Sequence, residues 1–208
     1  MVKQRIIEEA SELFGRSGVK SITMDDLARH LGISKRTIYE NFKDKESLLI
    51  ACIDAFQEKS KLFTEKVFLE ANNVAEAILV MLQVSAKQAA QRQINMLTDI
   101  RKYYPQVYKN HLSRINTDKF HNIEQMIQRG ISEGIFRDDL KPEIIAHFFC
   151  RQDMGTEHNE RFLDKYSLKD YFENVVITLL RGVSTMKGIE IIDQYKEKVN
   201  HQINENYI

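Results

Sequence analysis

Only two prolines and eight glycines punctuate 208 residues. Sheet proteins need frequent turns, so this scarcity favours long helices and an all-α fold. Tryptophan is absent, and Cys52 and Cys150 are the only cysteines. They stand far apart in apolar stretches, so they offer no disulfide framework and read as small buried hydrophobes in a reducing compartment. No apolar run approaches the ~20 residues of a membrane span. The opening stretch Met1-Val2-Lys3-Gln4-Arg5-Ile6-Ile7-Glu8-Glu9 is too broken by charge for a signal peptide. A soluble, cytoplasmic chain with no membrane association is expected. Enzyme signatures are missing too: no nucleophile elbow, phosphate loop, paired-cysteine motif or HExxH occurs. His111, His121 and His147 lack metal-ligand spacing. The expectation is no catalytic residue, no cofactor and no metal.

Charge of one sign is also lacking, since 30 basic residues balance 30 acidic ones. That total decides little, because a nucleic-acid binder needs only a positive docking face. Between Arg29 and Lys45 five basic residues (Arg29, Lys35, Arg36, Lys43, Lys45) face two acidic ones (Glu40, Asp44). The positive charge is locally concentrated.

What the chain has is helical periodicity. Ile6, Ala10, Leu13 and Phe14 predict a first helix over Val2–Ser17, stopped by Gly18. Thr23 and Asp26 form a capping-box pattern for a short second helix with Leu27, Ala28 and Leu31 inside and Gly32 at its end. Ser34 caps a third helix, Lys35 to Asn41. Two short helices joined by a Gly-containing three-residue turn make a helix-turn-helix. Asp44 caps a longer fourth helix with an expected buried stripe Leu49, Cys52, Ile53, Phe56, Ser60, Phe63 and Val67. Further helices are expected over Val74–Gln91, Ile94–Tyr103, Pro105 to about Glu133, after Pro142, around Phe172–Val183 and around Ile192–Val199, with a polar loop from Gly155 to Ser167. No internal repeat or convincing strand is evident.

In a helix-turn-helix the second helix enters the major groove by its N-terminal end. Lys35 and Arg36 are long donors, and Arg can bond guanine bidentately. Thr37 can touch a thymine methyl or a phosphate, and Tyr39 can stack or bond a phosphate. Lys45, in the first turn of the fourth helix, is placed to grip the backbone. Thr23, Ser34 and Lys43 complete the expected DNA-facing set, while Ile38 and Phe42 belong to the core.

The module formed by Arg5, Ile6, Ala10, Leu13, Phe14, Gly18, Thr23, Leu27, Ala28, Gly32, Ile33, Ser34, Thr37, Ile38, Tyr39, Phe42, Lys45, Glu46 and Leu48 resembles the TetR family of bacterial transcriptional regulators. A weaker echo occurs at Gly130, Gly134, Phe136, Arg137, Asp139 and Pro142. Arg36 stands where the family often has a small residue, and Asn41 where it often has histidine or tyrosine. The resemblance implies a DNA-binding domain over 1–47 followed by a helical ligand-binding and dimerisation domain over 48–208. It implies a homodimeric repressor, released from a palindromic operator of double-stranded DNA by a small molecule. Aromatic and Met residues that would suit an apolar or aromatic effector are Phe63, Met96, Tyr103, Tyr104, Tyr108 and Phe148, with His121 as a polar anchor. The family's dimer helices correspond here to Ile145 and Phe149, and to Phe172, Val175, Val176, Leu179 and Val183. The adjacent pairs Ile144-Ile145 and Val175-Val176 carry more apolar surface than one core stripe needs. Two other readings stay open: a DNA-binding regulator without a small ligand, constitutive or controlled by a partner, and an enzyme or carrier using the helical part alone.

Overall fold

The computed structural model describes residues 2–91, 95–150, 170 and 172–195. Helices dominate: α1 (Val2–Ser17), α2 (Met24–Leu31), α3 (Lys35–Asn41), α4 (Lys45–Glu70), α5 (Val74–Gln91) and α6 (Asn95–Tyr103). Then α7 (Pro105–Val107) runs through one π-helical stretch, Tyr108–Leu112, into α8 (Ser113–Ser132). α9 spans Pro142–Cys150. A second π stretch, Phe172–Val176, leads into α10 (Ile177–Val183), and α11 covers residues 186–195. The only extended pairing among the described residues is an isolated bridge between Phe136 and Ser184. The all-α expectation holds, and the helix from Pro105 is one long element with a π-helical insertion that the periodicity gave no sign of. The polar loop and Val199 lie outside the described residues, as does Ile94.

The chain forms two packing units, Met1–Phe63 with Ala89–Thr117, and Thr64–Gln88 with Asp118–Ile208. In the first, Ile6, Ala10 and Phe14 recur every four residues along α1 and are buried against Leu27, Leu31, Ile38, Phe42, Leu48, Leu49 and Cys52. Ile100 of α6 and Val107 of α7 complete that core, both at most 2% exposed. The sequence pattern placed no downstream residue in this cluster. The Cys52 thiol lies 3.6 Å from the Ile7 carbonyl, and burial pushes its pKa up to about 11. Both cysteines are free thiols.

In the second unit Val74, Ala75, Leu79, Ile127, Ile135, Phe136, Ile177, Leu180, Val183 and Ile192 form the core. Its polar scaffold centres on Glu133. One carboxylate oxygen accepts from the Arg129 Nε at 2.6 Å, and the other accepts from the Val74 backbone N–H at 2.8 Å, capping α5. Arg129 also donates to the Phe68 carbonyl near the end of α4. Helix ends carry unpaired backbone groups, so one Arg–Glu pair here satisfies a start and a finish together.

After α8 the chain turns at Gly134, whose φ is +66°. Ile135 and Phe136 both donate back to the Gly130 carbonyl. The Phe136 ring then lies on Gly130, where an added Cβ would come within 2.1 Å of it. The weaker sequence echo is therefore a folded-back corner, with Arg137 bonding Asp139 and the Gly182 carbonyl.

One expectation fails on α4. Leu49, Cys52, Ile53 and Val67 are buried, but Phe56 is 44% exposed, Ser60 is exposed and Phe63 is only half-buried. An unbroken stripe needs one core along the whole helix, whereas α4 contributes residues 45–63 to one unit and 64–70 to the other.

Gly130→Ala is expected to cost about 1–3 kcal/mol, the usual range for overpacking. Gly15, inside α1, meets nothing within 4 Å of an added Cβ. There Ala should stabilise the helix by about 0.5–1 kcal/mol. Urea unfolding followed by circular dichroism should move the two midpoints in opposite directions; a shared direction contradicts this packing.

Candidate nucleic-acid interface

Local chemistry fixes α2 and α3. The Thr23 Oγ1 accepts from the Asp26 N–H at 3.1 Å, and the Asp26 Oδ2 accepts from the Thr23 N–H at 3.0 Å, a complete capping box. Gly32 takes φ +65°, a left-handed conformation that costs glycine nothing, and its N–H bonds back to the Ala28 and Arg29 carbonyls. The Leu31 carbonyl accepts from Arg5 of α1 at 3.0 Å. Ser34 then accepts from the Thr37 N–H at 3.0 Å and starts α3. Phe42 and Ile38 turn inward, 5% and 0% exposed. Asp44 caps α4 by accepting from the Ser47 N–H at 2.8 Å.

This inward anchoring fixes what faces outward. Thr23, Ser34, Lys35, Arg36 and Lys43 are exposed, Tyr39 is 45% exposed, and Thr37 is half-buried with its hydroxyl 2.8 Å from that of Ser34. Both long donors of α3 hold carboxylates. Lys35 Nζ lies 2.8 Å from Asp25 of α2, and that bond raises the lysine pKa. Arg36 Nε lies 3.0 Å from Glu40 one turn on. Arg29 lies 3.5 Å from Asp26. Counting charge from Arg29 missed Asp25 and Asp26; from Asp25 to Lys45 the surplus is one, not three.

Lys45 differs from the others. It is half-buried, with its ammonium 5.9 Å from the Phe14 ring centre. Burial lowers its pKa, and the carboxylates of Asp99 and Asp26 oppose that. Sequence reading placed Lys45 by its position on α4; the ring beneath it and the distant Asp99 are tertiary facts with no local signal.

A second tertiary feature joins the α1–α2 loop to α6. The Lys20 backbone N–H donates to Asp99 Oδ2 at 2.8 Å, and its ammonium donates to the Tyr103 hydroxyl at 3.0 Å. That bond lowers the Tyr103 pKa and raises that of Lys20. Tyr103, expected as an effector contact, is therefore engaged by the first unit's own loop. Met96 and Tyr104 pack against the same unit's core, and Tyr108 is 37% exposed. Phe63 belongs to this unit as well, and is half-buried. His121 and Phe148 belong to the second unit and are exposed.

The apolar residues assigned to a subunit interface divide by depth. Val183 is buried in the second unit's core, with Ile145 and Val176 packed against it. Val175, Leu179 and Phe149 are half-buried. The side chain of Phe172 lies outside the described residues. On α9 the outward apolar pair is Ile144, 61% exposed, and Phe148, 44% exposed, with the Phe148 and Phe149 rings edge-to-face at 5.9 Å.

The Asp26 carboxylate is held below its ordinary value, first by the Thr23 hydroxyl and then by the Thr23 N–H. A depressed carboxylate contributes stability that is complete above its unfolded pKa and is lost as pH falls through the folded value. Asp26→Asn should therefore flatten the acid limb of the stability curve below about pH 4, where free carboxylates titrate. Thr23→Ala should cost about 0.5–2 kcal/mol, as lost N-caps do. Thermal melts across pH check both; an unchanged acid limb in Asp26→Asn contradicts the box.

Residues 6–52 match the family profile described as bacterial regulatory proteins, tetR family. An uncharacterized HTH-type transcriptional regulator, YvaF of Bacillus subtilis, is 25% identical over 87% of this chain and 95% of its own length. An HTH-type transcriptional regulator of Staphylococcus aureus is 48% identical over 46 residues, 22% of this chain and 25% of the relative, so that likeness spans about a quarter of either chain. In fold, a TetR-family regulator from Cytophaga hutchinsonii superposes with a TM-score of 0.72 at 21% identity, covering 88% of this chain and 95% of that one. The capped helix-turn-helix at residues 23–42 and the core residues that hold it thus lie within the stretch that matches the tetR-family profile, and over most of its length the chain is similar to an HTH-type transcriptional regulator.

Proposed function

We propose that the protein is a homodimeric repressor that reads a palindromic operator through α3 and leaves it when a small molecule binds. The observation that carries this reading is the division of α3: Ile38 fully buried, with Lys35, Arg36 and Tyr39 exposed around it. Lys35, Arg36, Thr37 and Tyr39 are the base- and phosphate-facing set, with Thr23, Ser34, Lys43 and Lys45 along the backbone. Phosphate contacts position such a module, and base contacts give it sequence preference. Residues 1–47 serve as the DNA-binding domain and 48–208 as the regulatory one.

One short recognition helix reads few base pairs, and a two-fold dimer doubles the site. The outward apolar residues of α9, Ile144 and Phe148, support a subunit interface that includes Phe149, Val175 and Leu179. The link between effector and DNA is supported by the attachment of α6 to the α1–α2 loop through Asp99 and Tyr103. A ligand that prefers one position of α6 shifts the population of DNA-competent dimers by that preference and no more. An apolar or aromatic effector is the class that the scattered aromatic and Met residues of the helical part permit.

Lys35→Ala/Arg36→Ala protein should lose operator affinity at fixed salt in a gel-shift assay; retained affinity contradicts the assignment of α3. Lys45→Ala should weaken binding to every duplex and reduce the slope of log K against log salt by about one. A changed base preference instead would contradict a phosphate contact. Ile144→Glu/Phe148→Glu protein should sediment as a monomer. A dimer of unaltered stability contradicts that interface, and operator affinity indifferent to every candidate apolar effector favours partner control.

A further inference from the structure

The geometry points to Glu40 as a positioning residue that aims Arg36 at a guanine and so sets the preference at one base pair of each half-site. The inference rests on α3 being the recognition helix. The Glu40 Oε1 accepts from the Arg36 Nε at 3.0 Å. That contact uses the inner edge of the guanidinium and leaves both Nη groups, with four N–H donors, uncommitted by this bond. Bidentate recognition of guanine needs two parallel N–H groups presented to O6 and N7. A carboxylate on the Nε side holds the plane of the fork while its outer edge stays available.

A surface ion pair has a bland explanation, stabilisation of its own helix, and α3 argues against it. Pairs at i,i+4 help most with the acid nearer the N-terminus, because the helix dipole favours anions there and cations at the end. Here the order is reversed: Arg36 is the second residue of a seven-residue helix and Glu40 its next-to-last. No acidic residue occupies the first turn of α3 and no basic residue its last turn. Both charges thus stand at the end of the helix that disfavours them. The side chains are also 88% and 57% exposed, so neither is needed for packing. A long arginine loses much rotamer freedom when it docks, and a tether made before docking lowers that loss.

The carboxylate has a second effect. It adds a negative charge to the DNA-facing helix and repels phosphates on any sequence. That penalty is common to every duplex, so it lowers affinity overall and leaves the preference to the positioning of Arg36.

The test uses full-length protein and a duplex selected by it from a randomised pool, with single-base-pair variants and a random duplex as competitors at fixed salt. Arg36→Ala should flatten the preference at one base pair, a loss of roughly five- to 150-fold. Glu40→Ala should lose several-fold at that same base pair, while binding the random duplex as well as the parent or better. Glu40→Gln keeps an acceptor oxygen for Nε and should restore most of the preference. The inference is overturned if Glu40→Ala leaves the preference intact, weakens all duplexes equally, or alters a different base pair, which would make Glu40 a direct reader of cytosine. Failure of the parent to select any duplex, or an Arg36→Ala protein with unchanged preference, overturns the recognition-helix reading beneath it.

Discussion

A seven-residue helix has almost no stability of its own in water, because nucleation costs more than so few backbone bonds return. α3 exists because Ser34 satisfies its first turn and because Ile38, with Phe42 just beyond the helix, is sealed into the core of α1, α2 and α4. Every outward side chain inherits its direction from those two anchors. The exposed row of α3 is thus a by-product of burial on the other side, and the accuracy of its placement is the accuracy of a packed core.

Electrostatics then acts on a surface that is almost balanced. Lys35 and Arg36 each hold a carboxylate, Arg29 lies close to a third, and Lys45 rests over an aromatic ring. Exposed pairs of this kind are individually worth little. Their effect is on geometry more than on stability: they hold exposed cations in place, and the Arg36 pair leaves the outer edge of the guanidinium open. A surface so balanced offers a polyanion little general attraction, so any preference has to come from where individual cations are held.

The caps and turns were legible in the sequence because each is written within four residues: Thr23 with Asp26, Gly32, Ser34 with Thr37, Asp44 with Ser47. The core positions of α1 to α3 were legible through their spacing. What escaped was whatever needs two distant segments. Ile100 and Val107 in the first core, Asp99 beside Lys20 and Lys45, and the Glu133 carboxylate on the start of α5 have no local signature. The same limit applies to α9, where adjacent Ile144 and Ile145 take opposite fates. Periodicity says that one of two neighbours faces a core; it does not say which side the core lies on.

The two downstream residues in the first core also bear on time. During synthesis the N-terminal helices emerge first, yet the seats for Ile100 and Val107 stay empty until some fifty further residues have been added, on the order of several seconds at ribosomal rates. Through that interval the nascent chain carries a nearly finished DNA reader with an open hydrophobic flank. The segment that fills it is the one tied to Lys20. The last piece to complete the core beneath α3 is thus also the piece that ties down the α1–α2 loop.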